Sequence, residues 1–139
     1  MILIQAFSCW FMTGVIWLVQ ILIYPTHKMV GENEFKSYHD FHNQRITWIV
    51  APVMAIELVT AIALNWQDRN IFYSINLVSV VIIWFLTGLV NVPSHARLSF
   101  VDQKSKIRLE NLNWPRTLIW TARSFFWLWT LNHILTESI

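Results

Sequence analysis

The sequence predicts an all-α protein: an integral-membrane four-helix bundle, both termini outside, with a helical cytoplasmic extension before the second helix. Three observations lead there. The 139 residues are 55% apolar and only 13% charged, with a mean hydropathy of +0.45, a balance that suits hydrocarbon better than water. Four apolar segments, at about 2–24, 34–66, 71–92 and 113–134, each contain the roughly 20 residues that cross a bilayer. Basic residues collect in alternate connections, as the positive-inside rule requires of a membrane chain. The length is that of a single domain.

The first segment runs from Ile2 to Tyr24 and is expected to end at Pro25. It lacks a basic leader and a clear small-residue cleavage site, so a removable signal peptide is the weaker reading. Cys9, alone in the chain, cannot form an internal disulfide and reads as a packing residue. The next stretch, GENEFKSYHDFHNQR, has Phe35, Tyr38, Phe41, His42 and Arg45 at helical spacing, with Asn33 as a candidate cap. It therefore reads as a helix continuous with the second segment. Pro52 lies inside that segment and is expected to kink it or open its hydrogen-bond ladder.

The third segment stops at Pro93. The connection after it, ARLSFVDQKSKIRLENL, mixes basic residues with Leu98, Phe100, Ile107 and Leu109, the composition of a short interfacial helix on anionic lipid. The fourth segment opens at Asn113-Trp114-Pro115, with Asn113 as N-cap and Pro115 in the first turn. Lys28, Lys36 and Arg45 belong to the first connection; Arg97, Lys104, Lys106, Arg108 and Arg116 belong to the third; the second has only Arg69. Connections one and three are thus expected in the cytoplasm, in a bacterial cytoplasmic membrane. The formal charge of +2 is too small to argue for nucleic acid. The partners implied are the bilayer and an amphiphilic small molecule, and a homo-oligomer is compatible with the pattern.

The chemistry concentrates around HDFHNQRITWIVAPVMAIELVT, residues 39–60. At about 100° per residue, His39, His42, Arg45, Ile49, Val53, Glu57 and Thr60 share one face of roughly 120°. Polar residues in lipid are costly, so the polar stripes of all four helices are expected to face a shared cavity at the cytoplasmic end. Those stripes are Thr13, Trp17, Gln20, Tyr24 and His27; His39, His42 and Arg45; Thr87, Asn91 and His95; and Asn113, Arg116, Trp120, Arg123 and Trp127. Glu57 and Arg123 lie at similar depth, each the lone charge deep in its segment, and are expected to pair.

His39 and His42, with His95 or His27 as a third nitrogen, are candidate ligands for iron, copper, zinc or haem. The same histidines serve equally as acid–base or substrate-binding groups, or as plain interfacial anchors. Tyr24, Arg45, Asn91, Asn113 and Arg116 are candidates for holding a substrate's polar head, with Trp17 and Trp120 flanking a flat apolar body. Glu57 and Arg123 would set the electrostatics of the cavity floor.

GVIWLVQILIYP followed by ITWIVAPVMAIELVTAIAL resembles the HemJ-type protoporphyrinogen oxidases, through the Trp17-to-Pro25 stretch and Pro52-x-Met54. Where that family has a histidine early in its first helix, this chain reads QAFSCWF. The N-x-x-R arrangement of Asn113 and Arg116 resembles the last helix of anthrone-oxygenase-like membrane proteins. These resemblances imply an oxidoreductase or oxygenase acting on an amphiphilic or aromatic substrate. A proton or small-solute transport subunit, a ligand-binding subunit and a structural subunit of a larger membrane complex are the alternatives.

Overall fold

A computed structural model describes residues 1–91 and 103–137, except the side chains of residues 32, 89–91 and 103–109. Among the described residues every regular element is a helix. Helix α1 (Ile2–Leu18) passes through a π-helical segment, Val19–Ile23, into α2 (Tyr24–Met29). Helix α3 spans Glu32–Gln67, α4 spans Ile71–Phe85 and continues as a second π-helical segment, Leu86–Asn91, and α5 spans Gln103–Glu137. Three stretches, Ile2–Met29, Asn33–Gln67 and Ile71–Gly88, are long and apolar enough to cross a membrane.

Several boundaries differ from those expected, each for a local reason. Pro25 does not end the first helix; it sits in the first turn of α2. The wider π turn just before it accommodates the missing N–H and the ring that would collide with the carbonyl four residues back. Asn113 and Pro115 do not open the last helix either, since α5 begins ten residues earlier at Gln103. The Gln103–Leu112 part of the expected interfacial helix is therefore the start of α5; the rest of that connection lies outside the described residues. Gly31, rather than Asn33, precedes α3, which runs unbroken through Pro52. At about 1.5 Å per residue its 36 residues are longer than the roughly 30 Å of a bilayer's hydrocarbon.

The helices pack as a four-membered ring. Helix α1 lies against α3 and α5, and α4 lies against the same two, leaving α3 and α5 on one diagonal. The core between them holds Ala6, Cys9, Met12, Ile16, Met54, Leu64, Ile83, Trp120 and Trp127. Outward positions such as Leu3, Phe7, Val59, Val78, Val81 and Phe125 are apolar and exposed, as lipid-facing side chains would be. Asn70 caps α4, accepting a bond from the Phe72 N–H at 2.9 Å, and Ser74 ties α4 to Asn65 of α3 at 2.8 Å.

The buried direction of α3 passes through Phe35, His39, Met54, Glu57, Ala61 and Leu64. This is a 3.6-residue repeat centred on Glu57, which lies at one edge of the roughly 120° face, from His39 and Glu57 round to Arg45, that the sequence suggested. Arg45 lies about 120° from Glu57 around the helix; it is exposed, its guanidinium 5.3 Å from the centroid of Phe41.

Candidate functional site

Polar side chains tie α1 to α5 along most of their shared length. Trp10 Nε1 donates to the Ser124 carbonyl (3.1 Å), Thr13 Oγ1 to the Trp120 carbonyl (3.1 Å), and Trp17 Nε1 to Thr121 Oγ1 (3.0 Å). The π segment then turns Gln20 inward. Its Oε1 accepts from Asn113 Nδ2 at 2.8 Å and its Nε2 donates to the Glu110 carbonyl at 3.4 Å. Lys28 of α2 pairs with Glu110 at 2.5 Å and closes that end. A π turn re-aims one residue without ending the helix, and here that residue is Gln20.

Across the diagonal lies the ion pair that depth alone suggested. Arg123 Nη1 is 2.7 Å from Glu57 Oε1, with both side chains nearly sealed from solvent at 5% and 1% exposure. The rest of each group is also occupied. Arg123 Nε and Nη2 both donate to Asn76 Oδ1, at 3.2 and 3.1 Å, and Glu57 Oε2 accepts from Trp120 Nε1 at 3.0 Å. One turn along α3, Thr60 hydrogen-bonds Gln5 of α1. Three helices thus supply the partners of one buried carboxylate and one guanidinium, the satisfaction a buried charge pair needs in low dielectric.

Beyond Trp120 a cavity of about 490 Å³ opens between α1, α3, α4 and α5, within the size range of small-molecule sites. Its walls are mostly apolar, with Met12, Ile16, Val19, Val50, Met54 and Trp84 among them; its polar groups include Tyr24, His27, His42, Asn43, Thr47, Thr87, Asn113 and Arg116. Of the residues expected to share a hollow, Tyr24, His27, His42, Thr87, Asn113 and Arg116 do so.

His27 is the centre of an aromatic cluster beside that cavity. Its ring meets Phe35, His39 and His42 at centroid distances of 5.5, 5.6 and 6.1 Å. His39 is buried behind it, stacked on Phe35, with Asn43 Nδ2 3.3 Å from its Nε2; His42 stacks on Tyr38.

Other expected site residues are placed apart. Glu57, Arg123 and Trp120 are buried in the core rather than in the cavity wall, although the Arg116 guanidinium lies 5.5 Å from the centroid of the Trp120 ring. Trp17 packs edge-on against Trp114 at 5.8 Å and does not line the cavity. Arg45, exposed on α3, does not line it either. His95 and the side chain of Asn91 lie outside the described residues.

Among the described residues no three His, Cys, Asp or Glu side chains are arranged to hold a metal ion. His39 and His42 thus belong to no three-ligand metal group among the described residues, and each has an aromatic stacking partner, Phe35 and Tyr38.

Two residues that sequence reasoning passed over matter here: Asn76, which completes the Arg123 shell, and Gln5, which meets Thr60. Both are amides inside apolar segments, and a lone amide at that depth is the available signal, because it must face the bundle interior. Comparison with protein-family models, curated proteins and solved structures finds no match for the chain.

Proposed function

We propose that this protein is a small integral-membrane enzyme whose substrate, an amphiphilic or aromatic molecule, enters the four-helix cavity with its polar end among Tyr24, His42, Asn113 and Arg116. In this reading α5 is the fourth spanning helix, both termini lie outside, and the histidine end of the bundle faces the cytoplasm. The basic residues Lys28, Lys36, Lys104, Lys106 and Arg108 at that end support the orientation. One observation carries the proposal: a largely apolar cavity of about 490 Å³ whose wall holds an imidazole from α3 together with an amide and a guanidinium from α5.

His42 is the residue placed to exchange a proton with a bound molecule, since it lines the cavity and an imidazole changes charge near neutral pH. The redox character implied by the family resemblances needs an electron acceptor that the chain itself does not supply, and no three-ligand metal group is present among the described residues. The mechanism therefore goes no further than positioning and proton transfer.

The test uses the full chain in lipid nanodiscs with a total membrane-lipid extract, followed by untargeted mass spectrometry. The expected outcome is one chemically altered amphiphile that the wild type produces and His42→Ala, still folded, does not. His42 is half-buried and stacked on Tyr38, so its loss is expected to leave the helical content unchanged. An extract left unaltered by the wild type would contradict the enzyme reading and favour a binding or transport subunit. Elemental analysis and an absorption spectrum test the cofactor: stoichiometric iron or copper, or a Soret band, establishes a redox centre, stoichiometric zinc a non-redox metal site, and their absence removes the metal and haem readings.

A further inference from the structure

Arg116 is the anomaly of the cavity. It is only 8% exposed, and among the described residues it forms no ion pair and no hydrogen bond; its Nε is fully buried without a partner. Its guanidinium lies over the face of Trp120, 5.5 Å away. Arg123, seven residues along the same helix, has both a carboxylate and an amide about it. The contrast matters because a guanidinium keeps its charge at any biological pH, so burial without an anion cannot be relieved by losing a proton.

Among the described residues, the other groups nearby do not supply that anion. Glu110 is engaged by Lys28 at 2.5 Å. Asp40 lines the cavity from α3 but is exposed and forms no ion pair with Arg116. Asn113, whose Nδ2 is taken by Gln20, is likewise buried with its Oδ1 unpartnered, one turn from Arg116. A buried cation and a spare acceptor thus share one cavity with an extensive apolar wall.

We propose that the cavity binds a single-chain amphiphile with an anionic oxygen head, a carboxylate or a phosphate monoester, the head on Arg116 and the chain along Met12, Ile16, Val50 and Met54. This deepens the cavity reading given above and rests on it. A guanidinium is a two-pronged donor matched to such heads. A hydroxyl or protonated oxygen on the ligand would meet Asn113 Oδ1. The apolar wall accepts the chain without any specific bond.

Palmitate, hexadecyl phosphate and hexadecanol share a chain and differ only in the head, so they form the test. Native mass spectrometry and thermal unfolding of the full chain in detergent are to be run with each. One or both anions are expected to bind one per chain and raise Tm, at least about tenfold tighter than hexadecanol, the difference a charge-assisted hydrogen bond makes. Whichever anion binds tighter names the head.

Arg116→Gln is expected to remove that tenfold preference while raising the Tm of the ligand-free protein, because it deletes an unpartnered buried charge. Hexadecanol equal to both anions would overturn the anionic head and leave the amphiphile cavity standing. Failure of all three to bind wild type would overturn both readings. A ligand-free Arg116→Gln protein less stable than wild type would show Arg116 to be a structural residue and overturn the assignment as well.

Discussion

Glu57→Gln is expected to destabilise the folded protein by about 3–5 kcal/mol, the usual cost of leaving one member of a buried pair without its counter-charge. The stranded partner is Arg123, 5% exposed and held 2.7 Å from Glu57 Oε1. Asn76 would remain against Arg123 at 3.1–3.2 Å, but an amide oxygen carries no net charge to oppose the guanidinium. Glu57→Gln/Arg123→Met is expected to recover most of the loss, since a neutral pair of similar volume removes the stranded buried charge along with its partner. Equilibrium unfolding of the single and double variants in bicelles gives the coupling directly. A single-variant loss below about 1 kcal/mol, typical of exposed pairs, would contradict the burial of this one.

Trp120 has the second large effect, because it joins the buried pair to the cavity. Its indole N–H donates to Glu57 Oε2 at 3.0 Å while its ring faces the Arg116 guanidinium at 5.5 Å. Trp120→Phe keeps an aromatic face for Arg116 but deletes the donor to a buried carboxylate. It is expected to lower stability by about 1.5–3 kcal/mol, the range for bonds to charged groups. Ligand affinity in that variant should change only a few-fold. Trp120→Leu removes both functions and is expected to lower stability further, by about 3 kcal/mol or more, as truncation of a buried tryptophan does, and to weaken ligand binding as well. Equal ligand affinity in the two variants would show that the aromatic face contributes nothing to positioning Arg116.

Much of this arrangement was legible in the sequence because lipid makes polarity informative. Glu57 and Arg123 stand out as charges deep in apolar segments, and counting helical rise from the segment ends brings them to one level, where the structure pairs them. The same logic brought Tyr24, His42, Asn113 and Arg116 to one hollow. The helix ends were less legible. Pro25 reads as a helix stop and Pro115 as a helix start, yet a π turn absorbs the first and α5 already runs through the second. Such tolerance depends on neighbouring helices to hold the freed backbone groups, which no local pattern encodes.

The facing of α3 shows the other limit. Placing residues 39–60 on one face grouped Arg45 and Ile49 with His39 and Glu57, because a face of roughly 120° admits several choices of centre. The buried residues Phe35, Met54, Ala61 and Leu64 fix the centre, and all four are apolar. Apolar residues carry no directional signal in a segment that is apolar all round, so only packing distinguishes the inward ones. The role of Trp120 was hidden for the same reason: a tryptophan in a membrane segment reads as a belt or core residue until its indole partner, here Glu57, is known.

The most direct test of the central claim, that the bundle encloses a ligand cavity between its helices, is cysteine accessibility in sealed vesicles. Against a Cys9→Ala background, single cysteines at Thr47, Val50 and Thr87 would report on the cavity wall, and at Val59 and Val81 on the outward surface. Cavity cysteines are expected to react with a small charged thiosulfonate and to be protected by the bound anionic amphiphile, while the outward pair stays unreactive in lipid. Equal reactivity at all five positions, with no protection, would contradict an enclosed cavity.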